Sequence, residues 1–266
     1  MRNEIENADL ALSTVNRWKT SLIVLLVAAI IIGAFILLEI NPWSAFIAVP
    51  EFIAFFVNNF LPPNFDNINK YVPLIVDTIL FAVVGTYISA VLGLLFGILL
   101  SEQTNRFAWL RFTVRFVLSF LRNVPVLAWA ALLVYIFGIG NMVGLIALIL
   151  ATLGFLARSY SESINEIAGS KLEALKACGA SYWQIIIHGL IPQFIPAWIN
   201  WTLFSFEINM RASAILGMVG AGGIGIMIQT NMRLFKYHEA LSLIIILAAM
   251  VLITEYCTNK LRKLIH

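Results

Sequence analysis

Between Lys19 and Glu39, between Asp77 and Glu102, between Arg122 and Arg158, and between Glu239 and Glu255, the sequence carries no charged residue. A helix crosses the hydrocarbon core of a bilayer in about 20 apolar residues. Lipid offers no water to backbone N–H and C=O groups, so a crossing segment must close its hydrogen bonds within itself. The composition leaves little room for another solution. Of 266 residues, 61% are hydrophobic and 12% charged, where soluble domains carry about 45–50% and about 25%. The sequence predicts an all-α, polytopic membrane protein.

Six transmembrane helices are expected, over residues 20–38, 72–100, 124–139, 142–156, 192–217 and 240–256. The organisation that follows is a cytoplasmic N-terminal segment (1–19), a peripheral first transmembrane helix (20–40), an outer loop (41–70) and a five-helix core (71–263). That core includes a cytoplasmic loop, 157–191. The first apolar run is longer than a signal-peptide core of 7–15 residues and reads as a retained anchor. Residues 43–60 are apolar but hold Pro50, Glu51, Asn58 and Asn59. Pro50 is expected to break this segment. Residues 51–60 then read as a short helix in the outer interface, its phenylalanines in lipid.

The loop charges orient the chain. Of 17 basic residues, only Lys70, Arg233 and Lys236 fall in outer segments if the N-terminus is inside, and Arg211 lies within a span. The rest are cytoplasmic, which places both termini inside a bacterial inner membrane. A seventh span at 43–60 would reverse most of that bias. The net charge of +3 is scattered between apolar runs, so it does not describe a nucleic-acid surface. Cys178 and Cys257 are far apart, and His188, His238 and His266 are isolated. Neither set has metal or redox spacing.

The loop between the fourth and fifth spans reads as helix, turn, helix. Ile164, Ile167, Leu172 and Leu175 recur near helical spacing. Gly179 suits a helix C-terminus, where a left-handed residue is needed. Ser181 is a good N-cap, and Pro192 fits the first turn of the fifth span. Such a hairpin presents a firm knob to a partner, or serves as a folded connector.

Glu173-Ala174-Leu175, followed by Gly179-Ala180 and Ile191-Pro192, resembles the EAA loop of bacterial ABC importer permeases. The departures are Leu175 for the second Ala, Gly189 for Ile and Ile191 for Leu; Glu173, Gly179 and Pro192 keep their spacing. The string from Phe206 to Gly225, with Leu121 to Pro125 and Arg233 to Glu239, resembles the phosphonate-type branch. The resemblance covers most of residues 71–263 and implies a type I, MetI-like permease architecture. It implies uptake of a phosphonate or related phosphorus oxyanion, two such chains around one pathway, two ATPase subunits that hold ATP and Mg, and an external solute-binding protein. It implies that Glu173, Ala174, Gly179, Ala180 and Pro192 couple the chain to the ATPase. No cofactor is expected on this chain, which has no G-K-[ST] signature. The runner-up functions are an ABC permease for another small organic solute, a proton-coupled carrier and an integral-membrane enzyme. No paired carboxylates or activated nucleophile favours the last.

Glu207 and Arg211, four residues apart in the fifth span, share a helix face in the favourable order. With Asn209 they are candidates for a structural ion pair or for the pathway, where Arg211 would attract an oxyanion. Gly220, Gly222, Gly223 and Gly225 match G-x-G-x-x-G by accident, since no strand precedes them. They suit an outer gate loop or a close-packed turn. Arg122, Asn123 and Pro125 open the third span, with Arg122 reaching for headgroups, the ATPase or an inner gate. Asp77 lies early in the second span, near outer water or a partner group, and Glu255 ends the sixth span near the inner interface; neither has a clear role.

Overall fold

The computed structural model describes residues 14–39, 41–105, 107–167, 175 and 177–265, and among these every regular element is a helix. Contacts divide the chain into two units, Met1–Asn58 and Asn59–His266.

In the first unit α1 (Thr14–Leu37) covers the expected first span, and α2 (Pro42–Ile47) is capped by the Asn41 side chain. The third helix, α3 (Val49–Phe60), ends just past the unit boundary. It starts two residues before the expected 51–60 helix. Pro50 does not break it, because a first-turn residue needs no N–H partner. At about 1.5 Å per residue, neither short helix reaches across an about 30 Å core.

The second unit is built on α4 (Ile68–Leu100) and α7 (Asn141–Ile167). Small residues let the two lie close. A Cβ on Gly93 would sit 3.1 Å from Cβ of Leu156, and one on Gly97 would sit 2.9 Å from Cβ of Tyr160. Without a hydrophobic drive between helices in lipid, such close backbone packing is what associates them.

One helix fills the expected third span, 124–139, and a second helix that the hydropathy pattern did not predict precedes it. The chain forms α5 (Ala108–Asn123) and α6 (Val126–Phe137), which bend by 87°. Val124 and Pro125 are extended at the break. Proline has no N–H to donate and disfavours the α region in the residue before it. The indole of Trp129 donates to the Leu121 carbonyl at 3.2 Å, holding the elbow across the break.

The expected fourth span, 142–156, runs on to Ile167. No Gly or Pro stops it after Leu156. Ala157, Tyr160 and Ile164 continue the helical spacing and are buried, the latter two against Ile185, Leu190 and Phe194. The loop boundary expected at Ala157 therefore falls inside α7.

A one-turn helix, α8 (Tyr182–Gln184), a π-helical segment (Ile185–Leu190) and α9 (Ile191–Met218) follow without a break. Then come α10 (Ile224–Arg233), which the hydropathy pattern did not predict, and α11 (Tyr237–Ile265). Within α1, α4, α7 and α11 lie four stretches long and apolar enough to cross a membrane, and α5 with α6 makes up to five. α9 is as long but carries Glu207, Asn209 and Arg211. Of these, Glu207 and Asn209 are buried.

Candidate functional site

Three regions hold the candidate residues. The first is the segment leading into α9. Glu173 and Ala174 lie outside the described residues. Gly179 has φ +80° and is exposed, and the Ala180 N–H donates to the Leu175 carbonyl at 3.2 Å. This is a left-handed helix stop with its 6→1 hydrogen bond. The Ser181 N–H then donates to Oε1 of Gln184 at 2.8 Å, one arm of a capping box.

The knob is tied to the bundle at both ends. The Tyr182 hydroxyl donates to the Thr104 carbonyl at 2.7 Å, between α4 and α5. Ile185 and Leu190 are buried against Tyr160 and Ile164 of α7. Trp183 and Ile187 stay exposed. Pro192 lies in the first turn of α9, as expected, but the π-helical segment runs straight into that turn, and Ile191 N–H donates back to Ile186. A proline in a continuing helix leaves an upstream carbonyl without its donor. For Pro192 that carbonyl lies at His188, inside the π-helical segment whose widened turn makes room for the ring. One residue on, the Gln193 side-chain amide donates to the Gly189 carbonyl at 2.9 Å.

The second region is a belt of polar side chains in the middle of the second unit. Asn209 on α9 accepts from the Thr152 hydroxyl of α7 and donates to the Thr86 hydroxyl of α4, both at 2.9 Å. All three residues are buried. Glu207 accepts from Arg211 through Oε1 and from Arg262 of α11 through Oε2, the latter at 3.4 Å. The Arg262 guanidinium also lies 5.9 Å from the ring centroid of Phe204. One carboxylate thus faces two guanidinium groups, and the cluster keeps a positive charge. Thr86, Thr152 and Arg262 are not singled out by sequence spacing, because their partners are remote in the chain.

The glycines at 220–225 form a tight turn between α9 and α10. Gly220, Gly222 and Gly223 have φ of +94°, +87° and +73°. Thr78 accepts from the Ile224 N–H at 2.8 Å, and Gly140 N–H donates to the Gly220 carbonyl at 3.2 Å. A Cβ on Gly217 would lie 2.8 Å from Cα of Gly225. The turn is buried and close-packed in this conformation. Among the described residues, no three His, Cys, Asp or Glu side chains gather as metal ligands would.

Comparison with known proteins places this geometry. The family described as "Binding-protein-dependent transport system inner membrane component" matches residues 93–265. The phosphite transport system permease protein PtxC of Stutzerimonas stutzeri is 30% identical over 211 residues, 79% of this chain and 77% of that protein. The phosphate-import permease protein PhnE of Mycolicibacterium smegmatis is 30% identical over 233 residues, 87% of this chain but 44% of the relative. Among solved structures, an inward-facing MetNI methionine ABC transporter chain superposes with a TM-score of 0.64 at 23% identity. The match covers 74% of this chain and 96% of that one.

Proposed function

This chain belongs to the family of binding-protein-dependent transport system inner membrane components, and from that membership we propose that it carries phosphonate or a related phosphorus oxyanion into the cell. It is an importer permease, and a separate ATPase subunit supplies the drive. Relatives named for phosphite and phosphate import support the substrate class. ATP and Mg bind the two ATPase subunits, an external solute-binding protein delivers the anion, and a second copy of the chain completes the pathway. Both termini are cytoplasmic.

The observation that carries the coupling role is the anchored knob at 175–192. Its exposed tip is joined through a continuous helix to α9 and packed on α7. Closure of two ATPase subunits on two such knobs would push on α7 and α9 as levers. The motion would reach the belt where Asn209 bridges Thr86 and Thr152. The test is uptake of radiolabelled phosphite, inorganic phosphate and a methylphosphonate by proteoliposomes holding the complete complex. ATP-dependent accumulation of at least one anion is expected. Accumulation of none, with an active ATPase, would reject the substrate class.

A further inference from the structure

We propose that the elbow between α5 and α6 forms a transient oxyanion site on the transport pathway, built from the α6 N-terminus, Arg122 and Ser205. The inference rests on the permease reading above and goes beyond it by placing the anion.

Discontinuous helices in transporters present half-helix N-termini, with their partial positive charge, to anionic groups near the bilayer middle. α6 is such a half-helix. No side chain caps its first turn, and the Ala128 and Trp129 N–H groups both go to the Pro125 carbonyl. The N–H groups of Val126 and Leu127 are the ones this geometry leaves to a ligand. The α6 start opens on a cleft of about 260 Å³, lined among others by Arg122, Val126, Thr152, Ser205 and Asn209.

A second observation points to a ligand there independently. Ser205 is only 1% exposed, lines this cleft, and its hydroxyl has no hydrogen-bond partner among the described residues. Buried hydroxyls are ordinarily paired. Arg122 adds the charge. On α5, Arg111 donates to the Asn105 carbonyl and Arg115 pairs with Glu102, and on α7 Arg158 pairs with Glu162. Arg122 is exposed, makes no ion pair among the described residues, and no acidic side chain lines the cleft.

Depth fits a pathway rather than a headgroup. A Cβ on Gly154 would lie 3.0 Å from the Arg122 Cβ, so Arg122 is level with that residue. At about 1.5 Å per residue, Thr152 beside it lies about 17 Å along α7, which falls near the middle of an about 30 Å core that begins at the Asn141 end of this helix. The chemistry fits a small tetrahedral anion. Arg122 can fork onto two oxygens, and the Val126 and Leu127 N–H groups and the Ser205 hydroxyl can each donate to another. Phe155, Ile208 and Ala212 form an apolar wall suited to a P–H bond or a phosphonate carbon. One guanidinium keeps the site weak enough to release its cargo, as conduction requires.

The test uses the complete complex in proteoliposomes. Arg122→Gln is expected to lower phosphite uptake about tenfold, the weight of one charge-assisted hydrogen bond. The Arg122→Gln complex should elute from a sizing column and melt as the wild type does, which shows that the variant is folded and assembled. Arg122→Lys should fall between, keeping the charge without the fork. In detergent, the wild-type complex without binding protein should retain radiolabelled phosphite that inorganic phosphate displaces, and Arg122→Gln should not. Unchanged uptake by Arg122→Gln overturns the site while leaving the permease reading intact. A co-purifying phospholipid with no displaceable phosphite would assign the cleft to a lipid and also overturn it. Absence of phosphorus-oxyanion uptake by the wild type would remove both.

Discussion

The Arg262 guanidinium near the end of α11 lies 3.4 Å from Oε2 of Glu207 in α9, whose other oxygen holds Arg211. Removing the carboxylate would leave two guanidinium groups facing each other without a counter-charge. The Glu207 side chain is 12% exposed and that of Arg262 is 23%, while Arg211 is half exposed. We expect Glu207→Gln to cost about 1–3 kcal/mol, below the full range for a buried pair because water reaches Arg211. A fall in the thermal midpoint of the purified protein measures it. The double variant with Arg262→Gln should lose less than the two single losses together.

Asn209 joins three helices through two hydrogen bonds of 2.9 Å. Asn209→Leu removes both and leaves the Thr86 and Thr152 hydroxyls to find other partners. A loss of about 1–2 kcal/mol is expected, with reduced uptake. Full stability and full uptake in this variant would show that the bridge is dispensable.

Gly179 sits at φ +80° in open space, so an added side chain meets no neighbour. Only backbone strain opposes substitution there, and it is greatest for β-branched residues. Gly179→Val is expected to weaken the turn by about 1–2 kcal/mol and to lower binding-protein-stimulated ATPase activity. Gly179→Asn should do less harm. Equal ATPase stimulation in both variants would detach this turn from coupling.

Thr78 accepts from the Ile224 N–H at 2.8 Å and donates to the Leu74 carbonyl at 2.8 Å. Its replacement by Val keeps the shape and loses the acceptor. We expect a cost of about 1–2 kcal/mol, seen as faster proteolysis between α9 and α10.

Cys178 is exposed beside Gly179. With Cys257 changed to Ser, a membrane-impermeant maleimide should label Cys178 in inside-out vesicles and not in intact cells. Labelling of intact cells would reverse the proposed orientation.

Much of this was legible in sequence because it is local. Hydropathy along one segment decides whether it can leave water, so charge-free runs announced α1, α4, α7 and α11. The left-handed stop at Gly179 and the spacing of Glu207 and Arg211 depend only on neighbours in the chain. Ile164 and Ile167 were legible as helical but were assigned to a separate helix of the cytoplasmic loop; that they continue α7 without a break shows only where Tyr160 and Ile164 are covered by the π-helical segment and α9.

The sequence by itself determined that the chain is a helical membrane protein, where most of its spans fall, and which family its motifs resemble. Tertiary structure alone decided the bridge through Asn209, the reach of Arg262 to Glu207 and the cleft that Arg122 and Ser205 share. The reason is physical. A span is specified by the transfer energy of its own residues, whereas these contacts depend on which helix faces meet, and that is fixed by packing among segments remote in the chain.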